Sequence, residues 1–159
     1  MAYGARAQRR DPPDPGPYPA NYPDAHGVQG LHEHRERLYT ILTELFSNAL
    51  EHGLLGLDSA IKHEAQGFIT YYTERTRRLA HLSQGCITIN LHHTVLGDSG
   101  QLTIRLEDSG PGFAHQDVRP AMEANTTSYG RGIPLVRSLC QDLRYYSVGN
   151  CVEALYVWS

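Results

Sequence analysis

The chain has 159 residues, 40% of them hydrophobic, and a formal net charge of −3. That is core enough for one domain, too apolar for a disordered chain, and without the basic surplus that argues for a nucleic-acid surface. No apolar run approaches the ~20 residues of a membrane span, and no signal peptide is visible at Met1.

Residues 1–30 read as a leader rather than as part of the fold. Six of the nine prolines lie here (Pro12, Pro13, Pro15, Pro17, Pro19 and Pro23), just after Arg6, Arg9 and Arg10. Prolines this dense remove backbone donors and favour extended polyproline II. The folded domain is expected over residues 31–159. Its first helix is predicted at 38–53, where Leu38, Ile41, Leu42, Leu45, Phe46, Ala49 and Leu50 fall at helical spacing and form an inward face. Glu44, Asn48, Glu51 and His52 share the other side, and Gly53 is placed to end the helix in a left-handed cap. A carboxylate one turn before a carboxamide admits two readings. It is an ordinary polar stripe, or it pairs a hard oxygen donor for Mg²⁺ with a base that takes a proton from a hydroxyl or water.

A second, long helix is predicted at 59–82, capped by Asp58 or Ser59. Its apolar stripe is Ile61, Ala65, Phe68, Ile69, Tyr72, Thr76 and Leu79, and Arg75, Arg77 and Arg78 are expected on a solvated face. Period-two alternation then predicts strands at 86–96 and 102–107, joined by the turn Gly97-Asp98-Ser99-Gly100. The second strand runs into Asp108-Ser109-Gly110-Pro111-Gly112. After a polar stretch at 113–129, Gly130-Arg131-Gly132 opens a third helix at 133–141, with Leu135, Val136 and Leu139 inward and Pro134 in its first turn. Two more strands, 143–148 and 152–158, meet at Gly149-Asn150. Cys86, Cys140 and Cys151, odd in number and without CxxC spacing, read as buried thiols of a cytosolic protein. His92 and His93 point to opposite faces of a strand, so the nine histidines do not predict a metal site. The element order predicts an α/β (α+β) two-layer sandwich, its mixed, mostly antiparallel sheet covered on one face by helices.

The glycine-rich stretches bear on chemistry. A carboxylate at Asp108 can accept from the exocyclic amine of a purine, and Gly110 and Gly112 let backbone approach the base. The same residues are also good turn chemistry. Gly130 and Gly132 before a helix N-terminus suit a polyphosphate, or are simply two convenient loop glycines. The stretch between these segments would serve as a lid over a nucleotide.

Together, ELFSNALEHG, DSGPGF and YGRGIPLV resemble the three nucleotide-binding boxes of the GHKL (Bergerat-fold) superfamily, shared by gyrase, Hsp90 chaperones, histidine kinases and MutL. The resemblance covers about residues 35–158. Within that superfamily the chain is most similar to the anti-sigma-factor serine/threonine kinases, with a short lid and neither a phospho-accepting helix pair nor a transducer domain. The stretch GFITYYTERTRRLAHL is similar to kinase domains carried by bacterial response regulators that also bear a phosphatase, and neither of those regions lies in these 159 residues. The resemblance implies ATP and Mg²⁺ as ligands. It implies Asn48 as the Mg²⁺ holder, Glu44 as general base, and Asp108 with Gly110 and Gly112 at the adenine. Gly130, Arg131 and Gly132 would contact the phosphates. It implies an anti-sigma-antagonist-like protein substrate, a sigma or anti-sigma partner, no nucleic acid, no membrane, and a homodimer as one option. Two departures stand out. The strand and helix that usually precede the first box are replaced by the leader, and no threonine lies near Val152, Glu153 and Ala154.

Overall fold

The structure is a computed structural model, and it describes residues 31–112 and 131–159. Helix α1 spans Arg35–Asn48 and continues as a π-helical turn over Ala49–Leu54. A 3₁₀ turn, Ser59–His63, leads to helix α2, Gly67–His81. Strands β1, Ile87–Leu96, and β2, Ser99–Asp108, follow, then helix α3, Gly132–Leu139, and strands β3, Asp142–Tyr146, and β4, Cys151–Trp158. The strands form one sheet in the order β1-β2-β4-β3, with every neighbouring pair antiparallel. The predicted two-layer architecture holds, with a fully antiparallel sheet among the described residues.

Alternation on β2 builds the core. Leu102, Ile104 and Leu106 are buried and sit opposite Tyr156, Ala154 and Val152 of β4. Leu38, Ile41 and Leu45 of α1, Ala49 of the π-turn and Val136 of α3 cover them. The chain is pinned where α1 begins. His34 hydrogen-bonds the Tyr156 hydroxyl at 2.8 Å and packs on Trp158, against whose other neighbour, His93, the indole stacks at 5.4 Å. Ile104 is fully enclosed between the layers. Ile104→Ala is therefore expected to cost about 2–5 kcal/mol in denaturant unfolding, with the slope of the transition unchanged.

Several sequence expectations are corrected. Leu96 pairs with Ser99, so the first hairpin turns on two residues rather than four. The second hairpin turns on four residues, because Tyr146 pairs with Cys151. The predicted long helix is broken, since Gln66 takes a left-handed conformation (φ 62°) between the 3₁₀ turn and α2. Asp58 caps the 3₁₀ turn through the Ala60 N–H at 2.8 Å. The break rotates the predicted stripe outward. Phe68, Ile69, Tyr72 and Leu79 are exposed, and Tyr71 is the ring that α2 buries, in a second small core with Leu55 and Leu57. Nor is the basic run a solvated face throughout. Arg75 pairs with Glu51, and Arg78 donates to the carbonyls of Leu55 and Gly56. Phe46 and Leu135 face outward, with Leu42 and Ile133 packed on the core instead. Cys86 is exposed and Cys140 half-buried, leaving Cys151 as the buried thiol. Among the described residues nothing pairs with the outer edge of β1.

Candidate functional site

One continuous segment, α1 and its π-turn, touches both glycine-rich regions. Midway along it Glu44 leans on α3. A Cβ added to Gly132, the first residue of α3, would meet the Glu44 carboxylate, so the glycine lets the two approach without that side chain shifting. The positive end of a helix beside a carboxylate is a favourable placement. Four residues on, Asn48 closes α1 on the same face. Its Nδ2 is buried and has no hydrogen-bond partner. A buried amide atom left unpaired is costly, so this one has a bond still to make.

At the far end, the π-turn brings Gly53 against Asp108. A methyl there would stand 2.5–2.8 Å from three carboxyl atoms of Asp108. Gly53 is therefore required by contact with Asp108; it does not form the predicted left-handed cap, a conformation that Gly56 takes three residues later (φ 58°). The reason is the wide turn. Leu55 N–H reaches the Leu50 carbonyl, five residues back, at 2.9 Å, so one extra residue enters the helix before it ends. The same extra residue turns Glu51 and His52 off the face that Glu44 and Asn48 share. Glu51 points to α2, and His52 Nδ1 donates to the Leu57 carbonyl at 2.6 Å. The sequence assigns His52 no role, and here it fastens the loop after the turn.

Asp108 ends β2 as the one buried charged residue of the described core. Its Oδ1 accepts from the Gly110 N–H at 2.8 Å. Its main chain is held twice by the β3–β4 turn. Asp108 N–H donates to the Asn150 carbonyl at 2.9 Å, and Asn150 Nδ2 donates to the Asp108 carbonyl at 2.8 Å. Burial pushes the Asp108 carboxyl above the ordinary aspartate range, opposed by the Gly110 N–H and reinforced by Glu107. Gly110 lies against the Gly53 carbonyl, and Gly112 (φ 76°) against the Val148 carbonyl. Either position filled by a Cβ would push the loop off the site.

The structure thus sets Glu44 against Gly132 midway along this segment, with Asn48 one turn on, and sets Asp108 and Gly110 against Gly53 at its far end, with Gly112 against the adjoining hairpin turn. Arg131 is exposed at the N-cap of α3. Gly130 and the expected lid, 113–129, lie outside the described residues. Sequence reading missed Gly53 and Asn150. A glycine following the polar face was the visible signal for the first, read as a cap. Asn150 looked like ordinary hairpin chemistry.

The Gly53 contact yields a prediction. Gly53→Ala is expected to lower stability by about 1–3 kcal/mol, the usual cost of overpacking. The effect should shrink to about 0.5 kcal/mol or less when Asp108 is also alanine, because the clash is with that carboxylate. Thermal unfolding of the two single variants and the double variant measures this.

Compared with known protein families, residues 25–156 match the histidine kinase-like ATPase domain. The chain belongs to that family. No curated protein and no solved structure matches it. As a member of the histidine kinase-like ATPases it is an ATP-binding domain of the GHKL type. No described helix of this ATPase domain is long and apolar enough to cross a membrane.

Proposed function

We propose that this domain is a Mg·ATP-dependent protein serine/threonine kinase of the anti-sigma-factor type. Its substrate would be a hydroxyl of an anti-sigma-antagonist-like protein. The observation that supports this reading most directly is the placement of Glu44. It stands against the first residue of α3, one turn before an asparagine whose amide is incompletely bonded.

The residues fit the magnesium ion that the family implies. The two ends of a carboxamide have the same shape, so turning the Asn48 amide over presents Oδ1 where the unpaired Nδ2 stands. An oxygen donor of this kind suits Mg²⁺, and bound Mg²⁺ supplies charge neutralisation at the phosphates. The remaining roles fall to the chain. Asp108 Oδ2 accepts from the adenine amine while Oδ1 stays with Gly110. Gly110 and Gly112, packed on the Gly53 and Val148 carbonyls, hold the loop that carries Asp108 beside the base. Gly132, with Gly130 and Arg131, meets the phosphates at the helix start. Glu44 takes the proton from the attacking hydroxyl at its carboxylate.

The direct test is transfer of labelled γ-phosphate from Mg·ATP to an anti-sigma-antagonist-like protein. Phosphoserine or phosphothreonine on that protein is the expected product. Phosphohistidine on a separate helical domain would point instead to a histidine kinase's catalytic domain. Tight ATP binding with no transfer to any candidate would favour an ATP-gated binding module.

A further inference from the structure

Glu51 has a role that the nucleotide boxes do not account for. Its side chain is 15% exposed, and both carboxylate oxygens are engaged. Oε2 accepts from the hydroxyl of the buried Tyr71 at 2.8 Å, and Oε1 from Arg75 Nε at 2.8 Å. Lys62 Nζ lies 4.0 Å from Oε2 and 3.8 Å above the Tyr71 ring. The main chain of Glu51 is engaged too, its carbonyl accepting from the Leu57 N–H at 2.8 Å. One residue of the π-turn is therefore tied to α2, to the 3₁₀ turn and to the following loop. Burial and the Glu51 carboxylate both push the Tyr71 phenol up, so it remains a donor at any working pH.

A π-turn is rare and needs support from its surroundings, because the same residues form an α-helical turn with one residue fewer. In the π form, Gly53 reaches Asp108 and its carbonyl reaches Gly110. In an α-helical turn the register would move by one residue and this contact would be lost. We propose that Glu51 is a positioning residue of the nucleotide site: its bonds to Tyr71 and Arg75 hold the π-turn that carries Asn48 at one end and sets Gly53 against Asp108 at the other. The claim about the turn concerns the protein alone. Its consequence for nucleotide binding rests on the proposed function.

The test uses the whole chain and two variants. Glu51→Gln keeps the shape but removes the charge that Arg75 and Lys62 face, and its NH₂ takes the place of an oxygen that accepted from a donor. Arg77→Gln breaks the exposed ion pair of Arg77 with Glu74 on the same helix and leaves in place the Glu74–Arg78 pair that faces the loop after the π-turn. Without nucleotide, amide hydrogen exchange at Gly110, whose N–H is held by Asp108, should quicken at least tenfold in Glu51→Gln and stay at the wild-type rate in Arg77→Gln. With nucleotide, Glu51→Gln should bind Mg·ATP at least tenfold more weakly and lose most of its preference for ATP over GTP. Unchanged exchange at Gly110 in Glu51→Gln overturns the proposal, whatever ATP does. So does faster exchange that is equal across the whole domain, which is loss of stability alone. If Glu51→Gln does not fold, Tyr71→Phe removes one donor with the ring kept, and the same Gly110 readout decides. A wild-type chain that fails to bind Mg·ATP contradicts the proposed function and leaves the exchange result to judge the turn.

Discussion

Glu44→Gln is expected to slow phosphotransfer by about 10²–10⁴-fold, the usual contribution of a positioned general base. Glutamine has the same length and keeps the contact with Gly132, whose missing Cβ makes room for it. What it loses is the ability to take a proton. Affinity for Mg·ATP should change little, because Asn48, Asp108 and the α3 terminus are untouched. Single-turnover transfer together with equilibrium binding separates the two quantities. A fall in affinity equal to the fall in rate would make Glu44 a binding residue. Transfer at the wild-type rate would remove it from the chemistry.

Asp108→Asn should change which base the site accepts. The Gly110 N–H holds Oδ1. In the asparagine variant that N–H selects the amide oxygen, so the amide NH₂ takes the Oδ2 position. An adenine amine then meets another donor, whereas the O6 acceptor of guanine finds a partner. Losing a hydrogen bond to a charged group and gaining an unpaired donor should cost ATP about 3 kcal/mol, roughly a hundredfold in affinity, while GTP binding improves. Competition between labelled ATP and GTP measures both. The wild-type pH profile follows from the same carboxylate. Its folded-state value is raised by burial, so ionised Asp108 opposes folding at neutral pH, and that cost is relieved as the pH falls through the raised value. Protonation also removes the acceptor. ATP affinity should therefore drop on acidification at a pH above the ordinary aspartate range, and the Asp108→Asn variant should show no such step.

Much of this was legible in the chain because the signals were local. The alternation of Leu102, Ile104 and Leu106 fixed the buried face of β2, and the i, i+3, i+4 spacing of Leu38, Ile41 and Leu45 fixed the buried face of α1. Glu44 and Asn48 could be paired because they fall one helical turn apart. Two of the failures share a cause, a local change of helical register that periodicity does not see. The π-turn moved Gly53, Glu51 and His52 from the places that 3.6-residue spacing gives them. The left-handed Gln66 did the same to α2, turning Phe68 and Tyr72 outward and Tyr71 inward. Asn150 escaped notice for another reason. Its partner, Asp108, is 42 residues away in sequence, and nothing short-range joins them.

The most direct measurement is a thermal-unfolding comparison of the chain with Mg·ATP and with Mg·GTP at equal concentrations. A ligand that binds only the folded form at a hundred times its dissociation constant adds about 2.7 kcal/mol. Helix α1, the Asp108 loop and the start of α3 should together produce such a rise with ATP, and GTP should produce little or none. Equal rises with both nucleotides, or no rise with ATP, would contradict the convergence of these segments on one adenine nucleotide.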